Sequence, residues 1–299
     1  MADDTVLSRG RSAFLSRTAI YAVLIVAAVL FLLPLVAMIF TSLKSMPEIT
    51  GAAPYGNSTI LTPPMDPSFD AWREAWSEAC IAVACEGLRG YFVNTIIMTT
   101  FGVAISVGIG ALNGYVLSKW RFRGDTIIFA LLLFGCFIPF QIVLIPMARL
   151  LGMLGLSGSL TGLVMVHVCY GIAFTTLFYR NFYVSVPNEL VSAARMDGAG
   201  FWSIFWLIFL PVSGPITVVA VIWQFTSIWN DFLFGASFSG ADSRPLMVAL
   251  NNLVNTSTGT KAYNVDMAAA MIAALPTMLV YIVGGRYFVR GLMSGSVKG

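Results

Sequence analysis

Residues 187–211 read Pro187-Asn-Glu-Leu-Val-Ser-Ala-Ala-Arg-Met-Asp-Gly-Ala-Gly-Phe-Trp-Ser-Ile-Phe-Trp-Leu-Ile-Phe-Leu-Pro211. The first half is a short charge-bearing segment between two long apolar runs. Leu190, Ala193 and Ala194 recur at i, i+3 and i+4, which places them on one face of a helix. Pro187 suits the first turn, Ser185 is a candidate cap ahead of it, and Gly198 suits the stop. A short amphipathic helix held between two membrane spans and closed by a tight turn can dock a soluble partner. An ordinary surface helix in a connecting loop is the plainer alternative.

The string Pro-x-Glu-Leu-x-x-Ala-Ala-x-x-Asp-Gly-Ala, with Leu210-Pro211 after it, resembles the EAA loop of ABC importer permeases. In that family the loop enters a cleft of the cytoplasmic ATPase and transmits its motion. The resemblance assigns ATPase coupling to Glu189, Leu190, Ala193, Ala194, Asp197 and Gly198, within a loop at 185–211. Relatives usually carry Glu directly before the Ala-Ala pair. Ser192 stands there in this chain, and Glu189, three residues earlier, is the nearest substitute.

Composition bounds the surroundings of this loop. Of 299 residues 58% are hydrophobic and 10% charged, with mean hydropathy +0.84. A soluble domain has about 25% charged residues, so the chain is an integral membrane protein. Six apolar runs approach the ~20 residues that cross a bilayer: about 18–41, 92–117, 127–150, 160–179, 216–234 and 267–287. With the N-terminus in the cytoplasm, eleven of the 17 Lys and Arg fall on inside segments and six outside, so both termini are expected inside. The expected organisation is a cytoplasmic tail at 1–17, a six-helix permease domain at 18–290 and a cytoplasmic tail at 291–299. The net charge of +3 is spread over span ends and is not a nucleic-acid patch.

The outside loop from Ser42 holds Phe69, Trp72 and Trp76 among acidic residues, and Ser68–Gly87 reads as one or two amphipathic helices. They could meet an extracytoplasmic partner or lie on the bilayer. Cys80 and Cys85 share this segment; on a regular helix they would point apart, so a disulfide requires a break between them. Cys136 and Cys169 lie in spans and suit apolar filling. Gly102, Ser106, Gly110 and Gly114, four apart, suit a close helix–helix face. Pro139, Pro146 and Pro276 predict local kinks. The outer segment 235–266 contains Pro245–Val254, apolar enough to fold back as a helix, either as a binding-protein contact or as a plain connector.

Chemistry-bearing residues are few. His167 is the single histidine, and Asp231 the single acid within the spans. An ion-driven transporter needs a relay of such groups, which weighs against a stand-alone secondary transporter. No Gly-Lys pair exists, so the chain has no P-loop and no ATPase of that type. No metal-ligand spacing or nucleophile–base pair stands out, so the chain is not expected to be an enzyme or to bind a cofactor. Trp229-Asn230-Asp231-Phe232, Gln224, and His167 with Tyr170 could hydrogen-bond or stack on a sugar; each could equally brace helices.

The ending Gly-Leu-x-x-Gly-x-Val-Lys-Gly299 is similar to that of the maltose-type permease subunit. There the tail, here Ser294, Gly295, Ser296, Val297 and Lys298, enters the ATPase dimer. Together these motifs imply the permease fold of carbohydrate-type, binding-protein-dependent importers, with a cytoplasmic coupling helix. They also imply the partners: a second homologous permease, two ATPases that hold ATP and Mg, an extracytoplasmic sugar-binding protein, and membrane lipid around the spans. The location implied is a bacterial or archaeal cytoplasmic membrane. A permease for a non-sugar solute is the alternative.

Overall fold

The computed structural model describes the backbone of residues 2–294 apart from 57, 83, 121 and 256–260, and side chains of residues 17–285 within that set. The regular elements are helical. In chain order they are α1 (Ala2–Ser42), α2 (Met46–Thr50), α3 (Asp70–Ser77), α4 (Arg89–Lys119), α5 (Asp125–Phe137), α6 (Phe140–Met153) and α7 (Leu160–Val184). There follow α8 (Asn188–Met196), α9 (Phe201–Ile204), a π-turn (Phe205–Phe209), α10 (Leu210–Val212), α11 (Gly214–Trp229), α12 (Leu233–Phe238), α13 (Leu246–Val254) and α14 (Tyr263–Ser294). The segment expected as an N-terminal tail continues the helix of the first span.

Arg17–Ser42, Arg89–Lys119, Leu160–Val184 and Tyr263–Gly285 are long and apolar enough to cross a membrane. The other two expected spans depart from straight helices. Instead of a local kink within 127–150, α5 and α6 meet at 104°. Ile138 and Pro139 leave the helical region, with ψ of 123° and 129°. The residue before a proline is driven from αR, and the proline has no N–H to rejoin the helix. Pro146 and Pro276, by contrast, sit inside α6 and α14. The run 216–234 is shorter than expected, because α11 stops at Trp229. Asn230 and Asp231 therefore lie in a break before α12, not within a span. Upstream, Phe201–Val212 meets α11 at 77°.

The chain forms two packing units, Met1–Ala79 with Ser257–Met271, and Cys80–Thr256 with Ile272–Gly299. In the first unit a buried lysine organises the irregular segment after α2. Lys44 Nζ donates to Thr59 O at 2.6 Å and to the hydroxyls of Ser58 and Thr62, both at 3.1 Å. Glu48 accepts from the Met65 amide at 2.9 Å, and Trp72 Nε1 donates to Ser42 Oγ at 3.2 Å. Buried charges and amides left unpaired would each cost free energy, so these bonds fix a loop that has little helix.

In the second unit α4 is central. A Cβ at Gly114 would stand 2.6 Å from Tyr179 Cβ and 2.7 Å from Arg180 N of α7; one at Gly102 would stand 2.6 Å from Ile228 of α11. The small-residue stripe thus lets α4 approach two helices, as the four-residue spacing predicts. Thr175 Oγ1 donates across the α4–α7 seam to Ser106 O at 2.8 Å. The segment expected to hold one or two helices holds only α3. After it the chain turns tightly: Ile81 and Ala84 exchange backbone hydrogen bonds and Ala82 has φ of 57°. Cys80 and Cys85 are bonded across this turn, which is the break their pairing required. Helix α13 folds back onto α4: the Leu246 amide donates to Thr95 Oγ1 at 2.8 Å, and Asn94 Nδ2 to the carbonyls of Asp242 and Arg244.

Candidate functional site

Two sites emerge. The first is a cavity of about 430 Å³ lined from α7, α11 and the break after α11. His167, Tyr170, Gly171 and Phe174 recur at i, i+3, i+4 and i+7 on α7, so one helical face supplies them. Trp223, Gln224 and Ser227 come from α11, and Asn230 and Asp231 from its end. Five of the six expected pathway residues are therefore brought together: His167, Tyr170, Gln224, Asn230 and Asp231.

Trp229 is the exception. It is buried on another side of α11, stacked on Phe225 at 5.5 Å and edge-on to Phe92 at 5.3 Å, with Nε1 donating to Ala273 O at 2.9 Å. It joins helices and does not line the cavity. The stacking surface is instead Trp223, whose ring lies 4.4 Å from that of Phe174. Tyr170 contacts Phe234 and Phe140, at 5.0 and 5.1 Å, on another wall. Trp223 and Phe174 were not singled out from sequence. The signal was there for Phe174, seven residues after His167 on the same helical face; Trp223 shares its face with Ser227, four residues on, and not with Gln224.

The polar groups have distinct duties. Gln224 Nε2 donates to Ser106 Oγ and to His167 O, each at 3.2 Å, while its buried Oε1 has no partner among the described residues. Gly171 makes this placement possible, because a Cβ there would stand 2.6 Å from both Gln224 Cδ and Ser106 Oγ. His167 Nε2 also lacks a hydrogen bond among the described residues and lies 3.6 Å from Asp231 Oδ2. The Asp231 carboxylate accepts from the amides of Phe234 at 3.2 Å and Gly235 at 2.9 Å, which caps the start of α12. Asn230 is exposed to the cavity, with Nδ2 bonded back to Thr226 O at 3.1 Å. Amide and imidazole groups flanked by aromatic faces suit a neutral, hydroxyl-rich solute.

The second site is α8. Tyr115, Tyr179, Tyr183, Phe205 and Phe209 form a buried aromatic cluster against which it lies. Tyr183 and Ser213 hydroxyls are 2.6 Å apart, and Tyr179 donates to Thr217 at 2.7 Å, so the rings keep their polar ends satisfied. The π-turn ends immediately before Leu210-Pro211, where Pro211 has no N–H to donate to the preceding turn. Val191 and Ala194 of α8 point into this cluster. That corrects the expectation that Leu190, Ala193 and Ala194 share one docking face: Leu190 and Ala193 are exposed, and Ala194 is buried in the chain's own core. The outward face is Glu189, Leu190, Ala193, Met196 and Asp197.

Ser185 is also corrected. Its hydroxyl donates to Phe182 O at 2.7 Å and closes α7 instead of capping α8. Helix α8 is held at its start by Lys119, which donates to Val186 O and Asn188 Oδ1, and near its end by Arg195 over the Trp120 ring at 4.4 Å. Gly198, with φ of 80°, ends it. Ser192, in the position of the usual Glu, bonds to Asn188 O of its own helix. Of the expected tail contacts, Gly295, Ser296, Val297 and Lys298 lie outside the described residues, and Ser294 is the last residue of α14.

Comparison with known proteins places this architecture. The chain is 39% identical over 290 residues to a probable ABC transporter permease protein of Pyrococcus horikoshii, covering 95% of this chain and 98% of that one. It is 31% identical to a xylose/arabinose import permease protein of Haloferax volcanii, covering 93% and 92%. Its fold matches a chain in the crystal structure of a bacterial ABC transporter that imports alginate, with TM-score 0.79 and 23% identity over 93% of this chain and 98% of that one. Residues 86–292, which hold the small-residue stripe, the cavity and α8, match the family model described as the binding-protein-dependent transport system inner membrane component, and the chain belongs to that family.

Proposed function

We propose that this permease subunit of a binding-protein-dependent importer carries a sugar across a bacterial or archaeal cytoplasmic membrane. The observation that carries the reading is the cavity at the end of α11. There Gln224, Asn230 and His167 face the same space as the Trp223–Phe174 pair. Amide groups offer both a donor and an acceptor to each sugar hydroxyl, and an aromatic face suits the apolar face of a pyranose ring. The name of the Haloferax volcanii relative supports the same class. The permease has no catalytic role in ATP hydrolysis; the ATPase is a separate subunit of such importers.

In this reading a second, homologous permease completes the pathway, and two ATPases dock on the outward face of α8 through Glu189, Leu190, Ala193 and Asp197. Gly198 permits the turn beside them, and residues 294–298 reach between the ATPases. Both termini, with the tails at 1–17 and 291–299, lie in the cytoplasm, and the permease domain is 18–290. ATP binding draws the ATPases together and moves α8 with them. An extracytoplasmic binding protein delivers the sugar.

The test is uptake by the reconstituted importer with labelled pentoses and oligosaccharides. Asn230→Ala and Trp223→Leu should each lower uptake about tenfold while the complex stays assembled, given ~1.5 kcal/mol for a sugar contact. Normal sugar uptake with a lowered melting temperature would reject the pathway role. Uptake that is competed only by a non-sugar solute would move the chain to the other branch.

A further inference from the structure

A second, larger cavity of about 730 Å³ opens beside α8, between the end of α4, the start of α5 and the end of α7. Lys119, Arg123 and Arg180 line it. Lys119 is already engaged by Val186 O and Asn188. The two arginines are not: among the described residues neither has a carboxylate partner. Arg123 is exposed. Arg180 lies over the Phe129 ring, 4.3 Å from its centre, and its buried Nε has no hydrogen-bond partner among the described residues. Among the described residues Asp125 is the one carboxylate lining the cavity, and its Oδ1 accepts from the amide and hydroxyl of Thr126. The space therefore presents two guanidinium groups, neither paired with a carboxylate among the described residues, to whatever enters it. A planar guanidinium matches phosphate oxygens in pairs.

Apolar surface adjoins this cavity. Phe122 and Val184, which line it, are 39% and 53% exposed, Ile127 and Leu131 farther along α5 are 66% and 64% exposed, and α5 buries no residue of its own. Exposed aliphatic side chains on a membrane helix are lipid-facing or partner-facing. A basic pocket beside them, at the end of three spans, matches a phosphate that carries acyl chains better than a free anion or an acidic protein segment. We propose that this cavity binds the phosphate group of an anionic phospholipid, held by Arg123 and Arg180, with its acyl chains lying along α5. The lipid would then brace the α4–α7 end on which α8 is mounted.

The experiment uses the full chain purified in detergent and re-supplied with dioleoyl-phosphatidylglycerol or dioleoyl-phosphatidylcholine, with retained lipid measured by native mass spectrometry. Wild type should retain the anionic lipid at least about tenfold over the zwitterionic one, since each basic side chain near a lipid surface contributes ~1 kcal/mol. The double variant R123Q/R180Q should lose that preference. Arg123→Gln alone, at an exposed position, should lose part of it without affecting folding, and Arg180→Lys should retain part. Equal retention of both lipids, or a preference untouched by R123Q/R180Q, would overturn the proposal. So would displacement of the lipid by millimolar inorganic phosphate, which would make the ligand a soluble anion. Loss of ATPase binding in R123Q/R180Q with lipid retention intact would also overturn it, because the pocket would then belong to an acidic segment of the ATPase.

Discussion

At the scale of single residues, Gly171 controls more than its size suggests. Its missing Cβ is the space occupied by the Gln224 amide and the Ser106 hydroxyl. Gly171→Ala should force Gln224 out of its bonds to Ser106 and His167, with an overpacking cost of about 1–3 kcal/mol. Paired with Gln224→Ala, the same substitution should cost clearly less, and melting of the four proteins in detergent measures the difference. Additive losses would show that Gln224 is not what the glycine accommodates. The two neighbouring tryptophans should divide in the same kind of test. Trp229→Phe removes the bond to Ala273 O and should lower stability by about 1 kcal/mol with sugar uptake retained. Trp223→Leu should do the reverse. The sequence drew attention to Trp229 because it stands in the Trp-Asn-Asp-Phe string, yet the helix turns it about a hundred degrees per residue, and the six positions back to Trp223 decide which ring meets the cavity.

At the scale of elements, α8 has two faces with opposite partners. Ala194→Glu places a charge in the aromatic cluster formed by Tyr115, Tyr183 and Phe209. It should destabilise the isolated permease by several kcal/mol, whatever the ATPase does. Ala193→Glu, on the exposed face, should leave the melting temperature of the isolated chain within about a degree of wild type and weaken co-purification of the ATPase. If instead Ala194→Glu melts like wild type, the orientation of α8 is wrong. The bend at Pro139 makes a comparable point. Pro139, Pro146 and Pro276 look alike in sequence, but only where Ile138 also leaves the helical region does the chain turn through 104°.

For the whole molecule, the proposed topology rests on eleven basic residues against six. A single cysteine at exposed Asp66 should react with a membrane-impermeant thiol reagent on intact cells, and one at exposed Ser185 should not, in a background lacking the native cysteines. The opposite pattern would invert the permease in the membrane. The exposed apolar side chains of α1, Phe31 at 85% among them, are a whole-molecule property too. They are unburied within the chain and suit lipid or a neighbouring subunit.

The all-helical membrane architecture, the four unbroken spans, the small-residue face of α4 and the existence of α8 with its Gly198 stop were legible in the sequence, because length, apolarity and capping are local properties. Five of the residues that line the cavity, His167, Tyr170, Gln224, Asn230 and Asp231, were legible individually as polar groups in apolar surroundings, but not as one group. What the tertiary structure alone decided was direction: Ala194 inward and Ala193 outward, Trp223 to the cavity and Trp229 to Ala273, Ser185 to α7 and not to α8. It also decided that the chain from Ser77 would turn at Ala82 and bring Cys80 to Cys85, where no glycine announces a left-handed residue. The physical reason is that lipid tails and a helix core are equally apolar. In a soluble chain the polar face of a helix declares which side meets water. In a membrane the same apolar side chain satisfies lipid or protein, and only the packing of its neighbours settles which.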